Sequence, residues 1–165
     1  MKLSEPIRFR EEVLPSDVET VRELATSTGF FSQEEIGVAV ELVQERLAKG
    51  VHSGYHFFFA EHEDRVVGYT CFGPIACTVA SYDVYWIAVL DDFRRLGVGK
   101  RLLEKTEERI AALGGKRIYI ETSDRSQYHA TRGFYRRCGF TKEAVLKDFY
   151  APGDDKAVYV KVRML

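Results

Sequence analysis

The residues from Arg94 to Lys100 (Arg-Arg-Leu-Gly-Val-Gly-Lys) combine two glycines with three cationic side chains, between a strand-like and a helix-like segment. The first turn of a helix presents backbone N–H groups without intrahelical partners and carries a partial positive charge. Glycine lets the backbone approach a ligand closely. The segment therefore predicts a pyrophosphate site. The alternative is a tight turn in which the glycines only avoid steric clashes.

Two common nucleotide-binding motifs do not account for this loop. The Walker A pattern GxxxxGK[ST] is absent, and the third glycine position of a GxGxxG pattern holds Leu102. Both folds need those residues to hold their phosphates. The ligand of the loop is therefore not predicted to be one of their nucleotides.

The segments that flank the loop predict a strand, a helix and a strand. Residues 79–90 form a long strand pattern, residues 97–113 place apolar side chains on one helix face, and residues 116–122 form a short strand. Such a unit is normally parallel and right-handed. Upstream, residues 55–61 and 66–72 predict an antiparallel hairpin across a turn at Glu63-Asp64.

The two ends of the chain complete a mixed fold. Residues 7–14 predict a first strand, and two capping boxes, Ser16 with Glu19 and Ser32 with Glu35, predict the starts of two helices. A short helix over 131–138 and two strands, 141–149 and 156–162, follow, with a turn at 152–155. We predict one α/β domain over residues 1–165: a central mixed antiparallel and parallel sheet with helices on both faces.

Composition excludes several classes of protein. The 165 residues are 45% hydrophobic and 30% charged, and 24 Lys and Arg face 25 Asp and Glu, for a net charge of −1. These are values of an ordinary globular chain. A non-specific nucleic-acid or membrane binder would carry a large basic excess, so we expect neither partner.

The cysteines and histidines predict no disulfide framework and no metal site. Cys71, Cys77 and Cys138 are an odd number without a CxxC pair, and the four histidines have no metal-ligand spacing. Reduced thiols are typical of the cytoplasm, where we expect the protein. No apolar run of about 18 residues predicts a membrane span.

Three motifs in order resemble the GNAT superfamily of acetyltransferases. Arg94-x-x-Gly97-x-Gly99 matches its pyrophosphate loop, Ile87-Ala88-Val89 matches its fourth-strand segment, and residues 133–140 (GFYRRCGF) resemble its FYxxxGF segment. The order of the predicted elements is also similar, over nearly the whole chain. The resemblance implies a GNAT-like acyl-CoA N-acyltransferase fold and acetyl-CoA as co-substrate.

The resemblance also implies how acetyl-CoA binds. The loop amides hold the pyrophosphate, Ile87 and Val89 pair with the pantetheine arm through backbone groups, and the Val89 amide donates to the thioester oxygen. The cofactor-binding residues implied in this way are Ile87, Ala88, Val89, Arg94, Arg95, Leu96, Gly97, Val98, Gly99, Lys100 and Tyr128. Tyr128 replaces the asparagine frequent in the family, so shielding of the CoA arm is its implied role. Asp91 replaces a frequent proline.

The implied catalytic residues are Tyr135, Glu121 and Asp83. Tyr135 matches the tyrosine that protonates the departing thiolate, which a neutral phenol is able to do. The acceptor ammonium must lose a proton, and Glu121 or Asp83 is the candidate base. Core packing is the alternative for Tyr135, an exposed or arginine-paired carboxylate is the alternative for the other two, and a route through ordered water stays open.

The acceptor is expected to be a small-molecule amine such as an amino acid. A protein N-terminal or lysine amine is the second candidate, and a non-catalytic CoA-binding module is the alternative from another class. The acidic and aromatic residues at 148–150 and 154–155 are able to attract a cationic amine, although they also fit a hairpin turn. By family analogy alone, a homodimer is expected.

Overall fold

The computed structural model describes residues 5–163, which form one seven-stranded mixed sheet and four α-helices. The strands lie in the order β1-β2-β3-β4-β5-β7-β6. The β4–β5 pair is parallel, and the β1–β2, β2–β3, β5–β7 and β6–β7 pairs are antiparallel. The predicted fold class is therefore confirmed. The elements are β1 Arg8–Arg10, α1 Asp17–Ser27, α2 Gln33–Lys49, β2 His56–His62, β3 Arg65–Pro74, β4 Ser81–Val89, α3 Val98–Ala112, β5 Arg117–Ser123, α4 His129–Arg137, β6 Thr141–Ala151 and β7 Asp154–Val162.

The chain divides into two compact units. Among the described residues, the first comprises 5–73 and 86–106, and the second comprises 74–85 and 107–163. Within residues 5–163, no helix has both the length and the apolar character needed to cross a membrane.

The core of the first unit packs α1 and α2 on the strands that follow them. Four side chains of this core are fully buried: Val21, Val43, Phe59 and Tyr69. Ala88 of β4 belongs to the same cluster. The apolar residues of α1 and α2 recur at helical spacing, so each helix turns one face to this core. Their burial is the main stabilising term of this unit.

One of the two predicted capping boxes is confirmed. Ser32 is extended, its hydroxyl accepts from the Glu35 amide (3.2 Å), and the Glu35 carboxylate accepts from the Ser32 amide (2.7 Å). The box at Ser16 is wrong, because Ser16 has helical φ and ψ and its side chain caps nothing. The Asp17 carboxylate instead accepts from the Leu14 amide (2.7 Å).

The first strand is shorter than predicted. Only Arg8–Arg10 pairs with β2, whereas the prediction extended to residue 14. Arg10 forms ion pairs with both Asp17 (2.8 Å) and Glu61 (2.7 Å). The Arg10–Asp17 pair thus joins the end of β1 to the first residue of α1.

The second unit packs part of α3 and α4 against β5 and β7. Its core includes Ile110, Ile118 and Tyr159, all at 0% exposure. The predicted glycine stop after α3 is confirmed: Gly114 has φ +88°, and a Cβ on Gly115 would lie 2.3 Å from Ile110 Cγ2. Only glycine fits a position that close to a buried side chain.

The last hairpin has a tighter turn than predicted. Ala151 pairs directly with Asp154, so the turn is Pro152-Gly153 rather than residues 152–155. Strand β6 is interrupted by a bulge, defined here as residues 147–150, which lies opposite the single residue Asp155. Two bonds fix this bulge: the Asp148 amide donates to Asp155 Oδ1 (2.8 Å), and the Gly153 amide donates to Asp148 Oδ1 (2.7 Å).

Candidate active site

The predicted glycine loop connects β4 to α3 through a 3-10 turn, Asp91–Phe93. Arg95 (φ +64°) and Gly97 (φ +81°) both have left-handed backbone conformations. The Arg101 amide donates to the Gly97 carbonyl (3.0 Å), which places the first helical turn directly after Gly97. Successive amides in such a turn, together with the start of a helix, form a concave site for an anion.

The Arg94 side chain of this loop is directed back to the strand. Its Nε donates to the Val89 carbonyl (3.3 Å), and its Nη1 pairs with Asp91 (2.9 Å). Asp91, which stands where the resembled family often has proline, therefore orients Arg94, the first arginine of the loop. Arg95 and Lys100 are exposed, so their charges are accessible to a phosphate group.

The predicted pantetheine segment lies in the second half of β4. Ala88 is buried in the core with α1 and α2, whereas Ile87 and Val89 are half-buried. A Cβ on Gly68 of β3 would lie 2.9 Å from the Ala88 carbonyl. Gly68 therefore permits the close approach of β3 to this segment.

Tyr135 lies in α4 with its ring in the core of the second unit. Its ring contacts those of Phe134, Phe140 and Tyr159, at centroid distances of 5.7, 6.3 and 6.0 Å. Burial raises the pKa of Tyr135 well above its usual value, and the nearby Cys138 and Tyr128 raise it further. The phenol therefore stays protonated at neutral pH.

Tyr128 ends a 3-10 turn, Ser126–Tyr128, immediately before α4. The helix begins at His129, two residues before the predicted start, because this turn leads directly into it. Arg132 of α4 is 7% exposed and donates to the carbonyls of Ser123 (3.0 Å) and Arg125 (2.7 Å). Arg132 thus ties α4 to the end of β5.

The structure brings the two candidate bases together. Asp83 pairs with Tyr119 in the β4–β5 register, and Glu121 lies two residues further along β5, on the same face as Tyr119. Desolvation raises the pKa of Asp83 to about 6, the Glu121 charge adds to this increase, and Lys156 opposes it. Asp83 is thus a half-buried carboxyl that titrates near neutral pH.

Lys156 is a residue of this site that the sequence did not indicate. Its ammonium pairs with Glu121 Oε2 at 2.5 Å and lies 3.6 Å from the centroid of the Phe149 ring. The lysine is 8% exposed. A lysine at the start of a predicted strand gives no sign of burial, and the contact depends on the β5–β7 register, which aligns Ser123 with Lys156.

Tyr135 and the two carboxylates lie on opposite faces of β5 and β7. Ile120 pairs with Tyr159, whose ring contacts Tyr135, whereas Glu121 belongs to the alternate set of side chains. Successive side chains of a strand point to opposite faces. Within the second unit, the candidate acid and bases therefore act from different sides of the sheet.

The aspartates of the last hairpin bind other groups of this chain. Asp154 accepts from Ser123 Oγ (2.5 Å) and pairs with Arg125 (3.1 Å), and Asp155 caps the bulge. The hairpin interpretation of these residues is thereby supported. Phe149 and Tyr150 of the bulge stay half exposed and form an edge-to-face pair at 5.1 Å.

Within residues 5–163, no group of three or more His, Cys, Asp or Glu side chains could hold a metal ion. Cys71 is buried, Cys77 is exposed, Cys138 is half-buried, and all three are free thiols.

The family model "Acetyltransferase (GNAT) domain" matches residues 53–142. This range contains the β4 segment, the glycine loop, Glu121 and Tyr135. The chain belongs to the GNAT acetyltransferase family. A solved structure of a protein assigned to the GNAT family from Desulfovibrio desulfuricans is 46% identical, with a TM-score of 0.93 over 95% of this chain and 99% of that one.

Two curated relatives match part of this GNAT chain. The N-alpha-acetyltransferase of Sulfurisphaera tokodaii is 30% identical over 60% of this chain and 64% of its own length. The amino-acid acetyltransferase of Pseudomonas aeruginosa is 31% identical over 61% of this chain and 22% of its own length. The chain thus spans less than two thirds of both relatives, whose names give different acceptors.

Proposed function

We propose that this protein transfers the acetyl group of acetyl-CoA to a primary amine by direct attack in a ternary complex. The observation that carries the proposal is Asp83, a half-buried carboxyl with a pKa of about 6 in a chain of the GNAT family. Near neutral pH such a group is largely ionised and still basic enough to take a proton.

Asp83 is the general base in this proposal, and Glu121 is not. The Glu121 carboxylate is paired with the Lys156 ammonium at 2.5 Å, so an acceptor would have to displace this lysine to contact it. No hydrogen bond or ion pair within residues 5–163 engages the Asp83 carboxylate. Asp83 is therefore the carboxylate that is available to an acceptor.

The reaction needs one bond formed, one bond broken and three proton transfers. The acceptor ammonium gives a proton to Asp83, and the neutral nitrogen attacks the thioester carbon. The Val89 amide donates to the oxygen that becomes negative. The C–S bond then breaks, and Tyr135 protonates the CoA thiolate. The second proton of the attacking nitrogen passes through solvent to the tyrosinate, and Asp83 releases its proton to water, so both groups return to their starting state. The amides from Arg95 to Lys100 bind the pyrophosphate throughout.

The proposed acceptor is a small-molecule amine such as an amino acid. The name of the Pseudomonas relative supports this class. The name of the Sulfurisphaera relative supports the second candidate, an α-amine at a protein N-terminus. The three free thiols support a cytoplasmic location as part of the same proposal.

A thiol-release assay with acetyl-CoA tests the proposal across amino acids, N-terminal peptides, polyamines and aminoglycosides. Turnover with one class is expected, together with a raised melting temperature in acetyl-CoA because the ligand binds the native state. Protection without turnover of any amine would instead support a non-catalytic CoA-binding module. Neither protection nor turnover would contradict the whole proposal.

A further inference from the structure

The Lys156 ammonium lies between a carboxylate and an aromatic ring, which are groups that would also bind the ammonium of an acceptor. Its charged nitrogen contacts the Glu121 carboxylate at 2.5 Å and the face of the Phe149 ring at 3.6 Å, and it lies 5.9 Å from the Tyr150 ring centroid. A carboxylate and an aromatic face together are a good environment for a cation. In this protein, the cation between Glu121 and Phe149 is the ammonium of Lys156.

The bulge in β6 is what brings the aromatic residues to Lys156. Four residues, 147–150, lie opposite the single residue Asp155, and Asp148 has a left-handed backbone (φ +52°). The Asp155 carboxylate accepts from the Asp148 amide, the Asp148 carboxylate accepts from the Gly153 amide, and these two bonds hold this conformation. Bulges re-aim side chains next to functional sites, and this one directs Phe149 onto the lysine.

Three charged side chains on this face, Asp83, Glu121 and Lys156, carry a net charge of −1 when all are ionised. Asp83 from β4, Glu121 from β5 and Lys156 from β7 act on one another electrostatically. Asp154 is paired with Arg125, and Asp148 and Asp155 accept from backbone amides. Within this group of three, Lys156 is paired with Glu121, so Asp83 is the carboxylate without a paired cation.

We propose that Lys156 is a specificity-determining residue, which neutralises Glu121 so that the acceptor site on this face matches one ammonium group. The acceptor class is then a singly charged amine, and polycationic amines are disfavoured by the lysine. This inference rests on the proposed function for the nature of the acceptor. It concerns the charge that the site selects, not the transfer of the acetyl group.

The test measures the binding of two matched probes, n-butylammonium and butane-1,4-diammonium, without acetyl-CoA. Carbon-13 NMR of labelled Asp side chains follows the Asp83 carboxyl during each titration. In the natural protein, the two dissociation constants should agree within about twofold. In Lys156→Gln, the diammonium should gain about fivefold over the monoammonium, since a partly exposed charge pair contributes up to about 1 kcal/mol.

Three further variants make the result specific. Lys156→Arg keeps the charge and should keep the natural ratio. Lys161→Gln removes another glutamate-paired lysine of β7, 2.7 Å from Glu107 on the opposite face, and should also leave the ratio unchanged. Lys156→Met repeats the neutral test with an apolar side chain if the Gln variant unfolds, as a melting curve would reveal.

Three outcomes would overturn the inference: an unchanged ratio in the neutral Lys156 variants, an equal change in Lys161→Gln, or no response of Asp83 to either amine. None of these outcomes depends on acetyl transfer. A protein that releases CoA with an amine but shows any of them would retain the proposed function and lose only the role of Lys156.

Discussion

Replacing Asp83 by asparagine should stabilise the protein at alkaline pH. Desolvation raises the Asp83 pKa to about 6, against about 3.9 for an ordinary aspartate. Folding therefore favours the protonated form, and ionisation above pH 6 weakens the folded state. Since each pKa unit equals about 1.4 kcal/mol, the cost is at most ~3 kcal/mol. Solvent screening of a half-buried group reduces it to ~1–1.5 kcal/mol.

The sign of this effect follows from linkage. Between pH 4 and pH 6 the folded protein binds more protons at Asp83 than the unfolded chain, so stability falls as the pH rises through this window. Asparagine resembles the neutral carboxyl and lacks that pH dependence. The gain of Asp83→Asn should thus be largest above pH 7 and should shrink progressively toward pH 4.

Urea unfolding of both proteins from pH 4 to pH 8.5, followed by circular dichroism, measures this difference. Asp92→Asn is the matched control, because Asp92 is exposed and the substitution removes the same charge. A gain for Asp83→Asn that is absent at pH 8, or equal at every pH, would refute the reasoning. In an activity assay, kcat/KM of the natural protein should rise with pH through about 6. Asp83→Asn should lower kcat/KM about 100-fold or more.

Two further substitutions test the acid and the loop. Tyr135→Phe should lower kcat about 100-fold with little change in acetyl-CoA affinity, whereas Tyr159→Phe should leave kcat unchanged, since the Tyr159 hydroxyl is buried without a hydrogen bond. Equal losses in both variants would mean that the ring packing, not proton transfer, is what matters. Gly97→Ala should cost ~1 kcal/mol, because φ is +81° while the space around a Cβ is open, and should weaken acetyl-CoA binding measured by calorimetry. Gly153→Ala has a similar φ of +79° at the hairpin and should cost the same stability without affecting binding; weaker binding there too would contradict a local role for the loop.

Local patterns in the sequence were sufficient for most of the elements. The Ser32–Glu35 capping box, the glycine stop after α3 and the Glu63-Asp64 turn are all set by neighbouring residues, and all three are confirmed. The capping box predicted at Ser16 is wrong because the spacing of serine and glutamate does not specify the backbone angles of the serine, which are helical here. The first strand ends at Arg10 instead of residue 14, and the ion pair of Arg10 with Asp17 at the start of α1 is a tertiary contact that the alternation of residues does not show.

The sequence by itself determined the family and the loop, since the glycines and cations of that loop are consecutive residues whose chemistry depends on the turn they form. The tertiary structure alone decided the acid–base cluster. Asp83, Glu121 and Lys156 come from three strands far apart in the chain, and only the β4–β5 and β5–β7 registers bring them to one face. The charge that each carboxylate can offer a substrate depends on burial and on its neighbours, which no local pattern specifies.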